Sequence, residues 1–175
     1  MNKEKMTVGD KCVATVADEG TATAGDEGTA IAGNYGVAKV GDKGQATAGN
    51  YGTAIAGHYG VVSAGKEGTV IAGDYGTATA GWQGQATVGA EATATVGDYG
   101  VAIAGDKGVV KVGDYGTAIA GAEGKASAGN GGTITLKYRD NSNTLKDIVG
   151  HIGENGLKPN VLYKLNESYV FTEVV

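Results

Sequence analysis

Seven consecutive residues, Gly60-Val61-Val62-Ser63-Ala64-Gly65-Lys66, have the spacing with which a glycine-rich loop and its lysine hold a phosphate. That chemistry stops at the next residue, since Glu67 stands where a serine or threonine should meet Mg²⁺ and no helical pattern follows. Eight aspartates, Asp10, Asp18, Asp26, Asp42, Asp74, Asp98, Asp106 and Asp114, are spaced by multiples of eight residues. They suggest the calcium ladder of glycine-aspartate β-rolls, which need nine-residue units and a second ligand in each turn. Here equivalent positions hold Asn, His58, Lys66, Trp82 or alanine, so turn-capping Asx residues are expected and no metal site is assigned. Thr-x-Thr pairs at Thr21/Thr23, Thr77/Thr79, Thr93/Thr95 and Thr133/Thr135 could order water into an ice-like lattice, but lysines and glutamines interrupt the series. His58 and His151 lack a cysteine partner and a Ser/His/Asp setting. The single cysteine, Cys12, is read as a small packing residue. Tyr35, Tyr51, Tyr59, Tyr75, Tyr99 and Tyr115 share one position of a repeat, where an edge of stacked rings could meet sugars or bases. No polar constellation converges, so neither enzyme activity nor a cofactor is expected.

The element that positions all of these is an eight-residue repeat. From Gly9 to Leu136 the chain divides into 16 octads without an insertion, as in Gly113-Asp114-Tyr115-Gly116-Thr117-Ala118-Ile119-Ala120. Glycine holds position 1 in 15 octads and position 4 in 14, which accounts for 29 of the 33 glycines. Such a period excludes collagen, and glycine at this density excludes a helical bundle.

Positions 5 to 8 read as a strand. Positions 6 and 8 are always apolar, 22 of the 32 being alanine, and 25 of the 32 residues at positions 5 and 7 are β-branched. Lys39, Lys111 and Lys125 fall at positions 5 and 7, so that face must point outward. Positions 1 to 4 read as a turn, with Asx side chains accepting from N–H groups two residues on and the flanking glycines free to take positive φ. Strand plus turn repeated in register is an all-β single-chain β-solenoid, of the β-roll or β-helix kind. Two octads per coil, giving eight coils of 16 residues and two parallel sheets, are expected over three, because alanine cannot fill a triangular interior. Residues 1–8 are a lead-in, 9–136 the solenoid, and 137–175 a C-terminal β-rich cap with strands near 133–138, 148–152, 161–165 and 170–174.

Octads of the form Gly-Asp-Tyr-Gly-Thr-Ala-Thr-Ala, followed by Gly156-Leu157-Lys158-Pro159-Asn160-Val161-Leu162-Tyr163-Lys164-Leu165, resemble a family of uncharacterised octapeptide-repeat proteins of bacteria and their phages. The resemblance covers nearly the whole chain. It implies a β-solenoid and a phage or prophage setting, and it assigns no activity and no catalytic residue.

Seven lysines against thirteen carboxylates in the repeat disfavour nucleic acid, and the lack of any long apolar run gives neither a membrane span nor a signal peptide, so a cytoplasmic location is expected as encoded. With two octads per coil, the even octads bring Val37, Ile55, Ile71, Val101, Ile103 and Ile119 onto one outer face. Isoleucine is rare on the odd face, where Ile31 is accompanied by Val13, Val61 and Val109. An exposed apolar stripe on a flat sheet marks an interface. The expected function is a non-enzymatic structural and interaction module that self-associates, a dimer being favoured. The alternative is a ligand-binding surface for carbohydrate, calcium or ice on the solenoid face or turn edge.

Overall fold

A computed structural model describes residues 3–174 of the chain. Those residues contain no helix and form two ten-stranded sheets. Each repeat strand pairs in parallel with the strand 16 residues on, as in Thr77 opposite Thr93 and Gln85 opposite Val101. The molecule is therefore a β-solenoid whose coil is two octads, with even octads in one sheet and odd octads in the other. The lead-in shares this register: Lys5–Thr7 pairs with Thr21–Thr23, and the Val8 N–H donates to the Thr23 carbonyl at 2.9 Å.

All 32 residues at positions 6 and 8 are buried, none more than 9% exposed, and they form one continuous column between the sheets, alanine and valine throughout except for Ile134 and Leu136 in the last coil. Positions 5 and 7 face outward along the repeat, with Lys39 and Lys111 exposed. Among the described residues, Ser127 and Thr135, in the last coil, are the two buried polar ones.

The turns depart from expectation in one respect. The left-handed residue is position 3, which is not glycine in 15 of the octads: Tyr35, Tyr59 and Lys107, for example, have φ of 55°, 56° and 59°. The glycines at positions 1 and 4 have ordinary φ and serve clearance instead. A Cβ on Gly73 would stand 2.9 Å from the Gly57 carbonyl carbon and the His58 nitrogen in the coil below. At position 4, a Cβ on Gly76 would meet the Cβ of Ala72 at 2.8 Å. Glycine is thus required by the closeness of coils, and the left-handed strain falls on residues whose side chains point out along the edge.

The cap closes the C-terminal end by extending each sheet with antiparallel strands. Thr133–Arg139 pairs with Leu145–His151 in the even sheet, and Lys125–Ser127 with Tyr163–Leu165, then Phe171–Glu173, in the odd sheet. Leu145–His151 begins three residues earlier than the pattern indicated, because a tight turn over 140–144 starts the pairing at once. In that turn the Asp140 carboxylate accepts the Ser142 and Thr144 N–H groups, and the Thr144 bond, with the Lys146 ammonium, holds its pKa below the usual value. Alanine gives way to Ile134 and Leu136 in the last coil, and Ile152, Leu157 and Tyr163 of the cap lie buried against them. Backbone bonds from Ile152 to Gly132 and from Asn160 to Ala128 fix the cap to the final coil.

Candidate functional site

The solenoid offers two flat faces and two turn edges, and the candidate residues divide among them by the parity of their octads. Ile55, Ile71, Ile103 and Ile119 stand in one row on the even face, in register through Thr87: Ile55 opposite Ile71, Ile71 opposite Thr87, Thr87 opposite Ile103, and Ile103 opposite Ile119. Val37 and Val101 lie in the parallel row two residues away. Ile71, Val101 and Ile103 are each about 40% exposed, while Val37, Ile55 and Ile119 are half-buried by their neighbours.

The equivalent row of the odd face is polar through Thr47, Ser63, Thr79 and Thr95. Ser63 Oγ donates to Thr47 Oγ1 at 3.3 Å. Of the four Thr-x-Thr pairs, only Thr77/Thr79 and Thr93/Thr95 come together, on adjacent odd strands, whereas Thr21/Thr23 and Thr133/Thr135 lie near opposite ends of the even sheet. Val13, Ile31 and Val61 are exposed here too, but they are separated by polar neighbours.

The Asx side chains do not cap their own turns. Each reaches up one coil: Asp10 Oδ1 accepts the Asp26 N–H at 2.9 Å, Asp26 Oδ1 accepts that of Asp42 at 2.8 Å, and Asp42 Oδ1 that of His58 at 2.8 Å. The other edge repeats this from Asp18 through Asn34 and Asn50 to Lys66, and from Asp98 through Asp114 to Asn130. The donor is a backbone group, so its side chain is immaterial, and Asp74 serves Ala90 equally well. Asp98→Ala leaves the Asp114 N–H without this acceptor and is expected to cost about 1 kcal/mol. That lowers the melting temperature by roughly 2–4 °C. Asp98→Asn retains an oxygen and is expected to melt with the parent, as a thermal scan would check. Among the described residues, no group of three or more His, Cys, Asp or Glu side chains is placed to hold a metal ion.

The six repeat tyrosines form three pairs rather than one ladder. Tyr35–Tyr51 and Tyr99–Tyr115 stack on the even edge with centroids 4.9 and 5.2 Å apart, and Tyr59–Tyr75 on the odd edge at 4.9 Å. Glu67 and Gln83 hold the intervening even turns, where Trp82 meets Tyr99 edge-on and Lys66 lies 4.4 Å over the Trp82 ring. Each stacked pair turns one ring face toward its neighbour in the adjacent coil, so neither edge presents a continuous ladder of six rings. The Glu67 carboxylate, by hydrogen bonding and then by its charge, raises the Tyr51 phenol pKa, and the charge of Glu91 does the same at Tyr75.

The remaining candidates stay apart. Gly60 and Gly65-Lys66 belong to turns on opposite edges, joined by the strand Val61–Ala64, so they make no phosphate cradle. His58 is exposed on the odd edge, 3.6 Å from Asp74, and His151 Nδ1 lies 3.1 Å from Thr133 Oγ1 in the cap. Cys12 is exposed, not packed, because its turn lies in the first complete coil.

One convergence was hidden in the sequence. Thr133–Arg139 does not turn after Leu136 but overruns the odd edge, with Lys137 opposite Ala122 beyond a register shift that skips Gly121. This overhang brings Lys137, Tyr138 and Arg139 above the turn containing Asp106 and Lys107. No periodic signal marks it, since the overrun begins where the repeat ends. No protein-family model, curated protein or solved structure matches the chain.

Proposed function

We propose that this protein is a non-enzymatic structural and interaction module that self-associates through the outer face of its even sheet. The observation that carries this reading is the in-register row Ile55, Ile71, Thr87, Ile103, Ile119, which no other segment among the described residues covers. Parallel sheets ordinarily have both faces covered, and here only the alanine-lined inner face is. The matching row of the odd sheet carries hydroxyl groups, which water satisfies. A second copy suits the even face best, because a flat row of alternating methyl-bearing side chains is complementary to itself and a two-fold pairing closes. Enzyme chemistry finds no support in the coil interior, which packed alanine and valine fill.

The test is the solution mass. Sedimentation velocity at micromolar concentration is expected to give twice the chain mass, and Ile103→Lys with Ile119→Lys is expected to return it to one chain without changing the β-sheet circular dichroism. A parent protein that is monomeric at these concentrations, or a double variant that still pairs, would overturn the proposal.

A further inference from the structure

Where the even sheet overruns the odd edge, the cap and the last odd turns enclose a cleft of about 420 Å³. That volume lies within the range of small-molecule sites. One wall is the turn edge, with Asp106, Lys107 and Glu123; the other is the overhanging strand and the turn after Tyr163–Leu165. Charge in the cleft runs against that of the whole chain. The chain carries −5, yet Lys107, Lys137, Arg139 and Lys164 line this cleft against Asp106 and Glu123.

The cations are not all spent. Arg139 Nη2 lies 3.2 Å from Asp106 Oδ2, and Lys137 Nζ lies 3.1 Å from Asp147 Oδ1. Lys107 and Lys164 are exposed and make no ion pair among the described residues. A carboxylate entering here would meet two free ammonium groups and the open side of a guanidinium fork. The Tyr138 and Tyr169 rings stack at 3.9 Å, 27° apart, and both line the cleft. Tyr169 is held there by its turn: the Asn166 carboxamide oxygen accepts the Ser168 and Val170 N–H groups at 3.0 Å each, and Tyr169 itself takes a φ of 58°. An aromatic wall with two phenol groups, set beside unpaired cations in a cleft open to solvent, complements a flat ring bearing hydroxyls and one carboxylate.

We propose that this cleft binds a carboxylated sugar, a uronic-acid unit of an acidic glycan. The glycan carboxylate pairs with Lys107 and Lys164, and its ring lies against Tyr169. This site is separate from the even face, so it stands or falls independently of self-association. A nucleic-acid strand is disfavoured, because beyond this one cleft a backbone would run along acidic turn edges.

Titration of the intact protein with a galacturonic-acid hexamer, followed by amide chemical shifts and calorimetry, tests it. The expected result is saturable binding that shifts Tyr169 and Lys164, weakens at least tenfold in Lys107→Ala with Lys164→Ala, and weakens as salt rises. The fully methyl-esterified hexamer, with the same ring and no charge, is expected to bind at least tenfold more weakly. Lys39→Ala with Lys111→Ala, on the flat faces, should leave affinity unchanged. Equal binding of the ester, an unaffected cleft variant, or no saturation by the acid would overturn the proposal. So would preferential binding of inorganic phosphate or a single-stranded oligonucleotide at the same residues.

Discussion

Gly73→Ala is expected to destabilise the protein by about 3 kcal/mol, at the upper end of what overpacking ordinarily costs. For a chain of this size that lowers the melting temperature by roughly 6–12 °C. The added methyl would lie 2.9 Å from the Gly57 carbonyl carbon and the His58 nitrogen, so the atoms that must yield are backbone. They cannot yield locally. Gly57 accepts from Gly73 at 3.1 Å and donates to Gly41 at 3.1 Å, while the strands on either side are tied to the coils above and below. Separating one pair of coils therefore lengthens bonds on both edges of the stack.

The same geometry ranks other glycines. At Gly76, position 4, the nearest atoms are the Ala72 Cβ at 2.8 Å and the Gly73 and Gly60 carbonyl oxygens at 3.0 and 3.1 Å. Yet Ala92 already occupies this position within the stack, whereas the one non-glycine at position 1, Ala17, lies in the first coil. Gly76→Ala is therefore expected to cost less than Gly73→Ala. Gly9 has nothing within 4 Å of its would-be Cβ, so Gly9→Ala is expected to be neutral or slightly stabilising through the unfolded chain. Thermal melts of the three variants check the order. A Gly73→Ala protein that melts with Gly9→Ala would show that coil spacing does not depend on position 1.

This ranking also marks how far the sequence was legible. The octad period, the outward lysines and the alanine interior were enough to specify 16-residue coils, because those features depend on which face a side chain takes. What the glycines do was not legible. A rule built on isolated turns assigns positive φ to glycine, whereas here Tyr, Lys, Glu and Gln at position 3 take it. The reason is visible only once coils are stacked: a Cβ at position 1 points into the coil below, while the side chains at position 3, such as Tyr35, Tyr59 and Tyr115, stand exposed along the edge. The Asx bonds were misread for the same cause, since their acceptors serve residues 16 apart and not two. The division of the tyrosines between edges follows from octad parity alone and was available in advance. The charged cleft was not, because it depends on a strand continuing past Leu136 and a register shift at Gly121-Ala122, neither of which the octad pattern encodes.

The cap sets the other large effect. Tyr163 is 3% exposed, packs edge-on against Phe171 with centroids 6.3 Å apart, and accepts the Lys158 N–H on its phenol oxygen at 2.7 Å. It also opens the strand that extends the odd sheet, where it lies opposite Ala126. Tyr163→Ala removes this ring from between the last coil and the outer hairpin and is expected to cost the cap about 3–5 kcal/mol. Tyr163→Phe keeps the ring and loses only the acceptor for Lys158, at about 1–2 kcal/mol. The cost falls on the cap and not on the repeat, because the coils below it are paired independently of Tyr163. Hydrogen exchange should therefore show the Ile152 and Asn160 amides, which donate to Gly132 and Ala128, losing protection in Tyr163→Ala while the Thr77 and Thr93 amides keep theirs. An opened cap bares the strand edges of both sheets, each a template for another chain, so light scattering should rise with time and concentration in this variant alone. If the cap amides stay protected, or the coil amides exchange with them, the cap is not the separable seal that its packing describes.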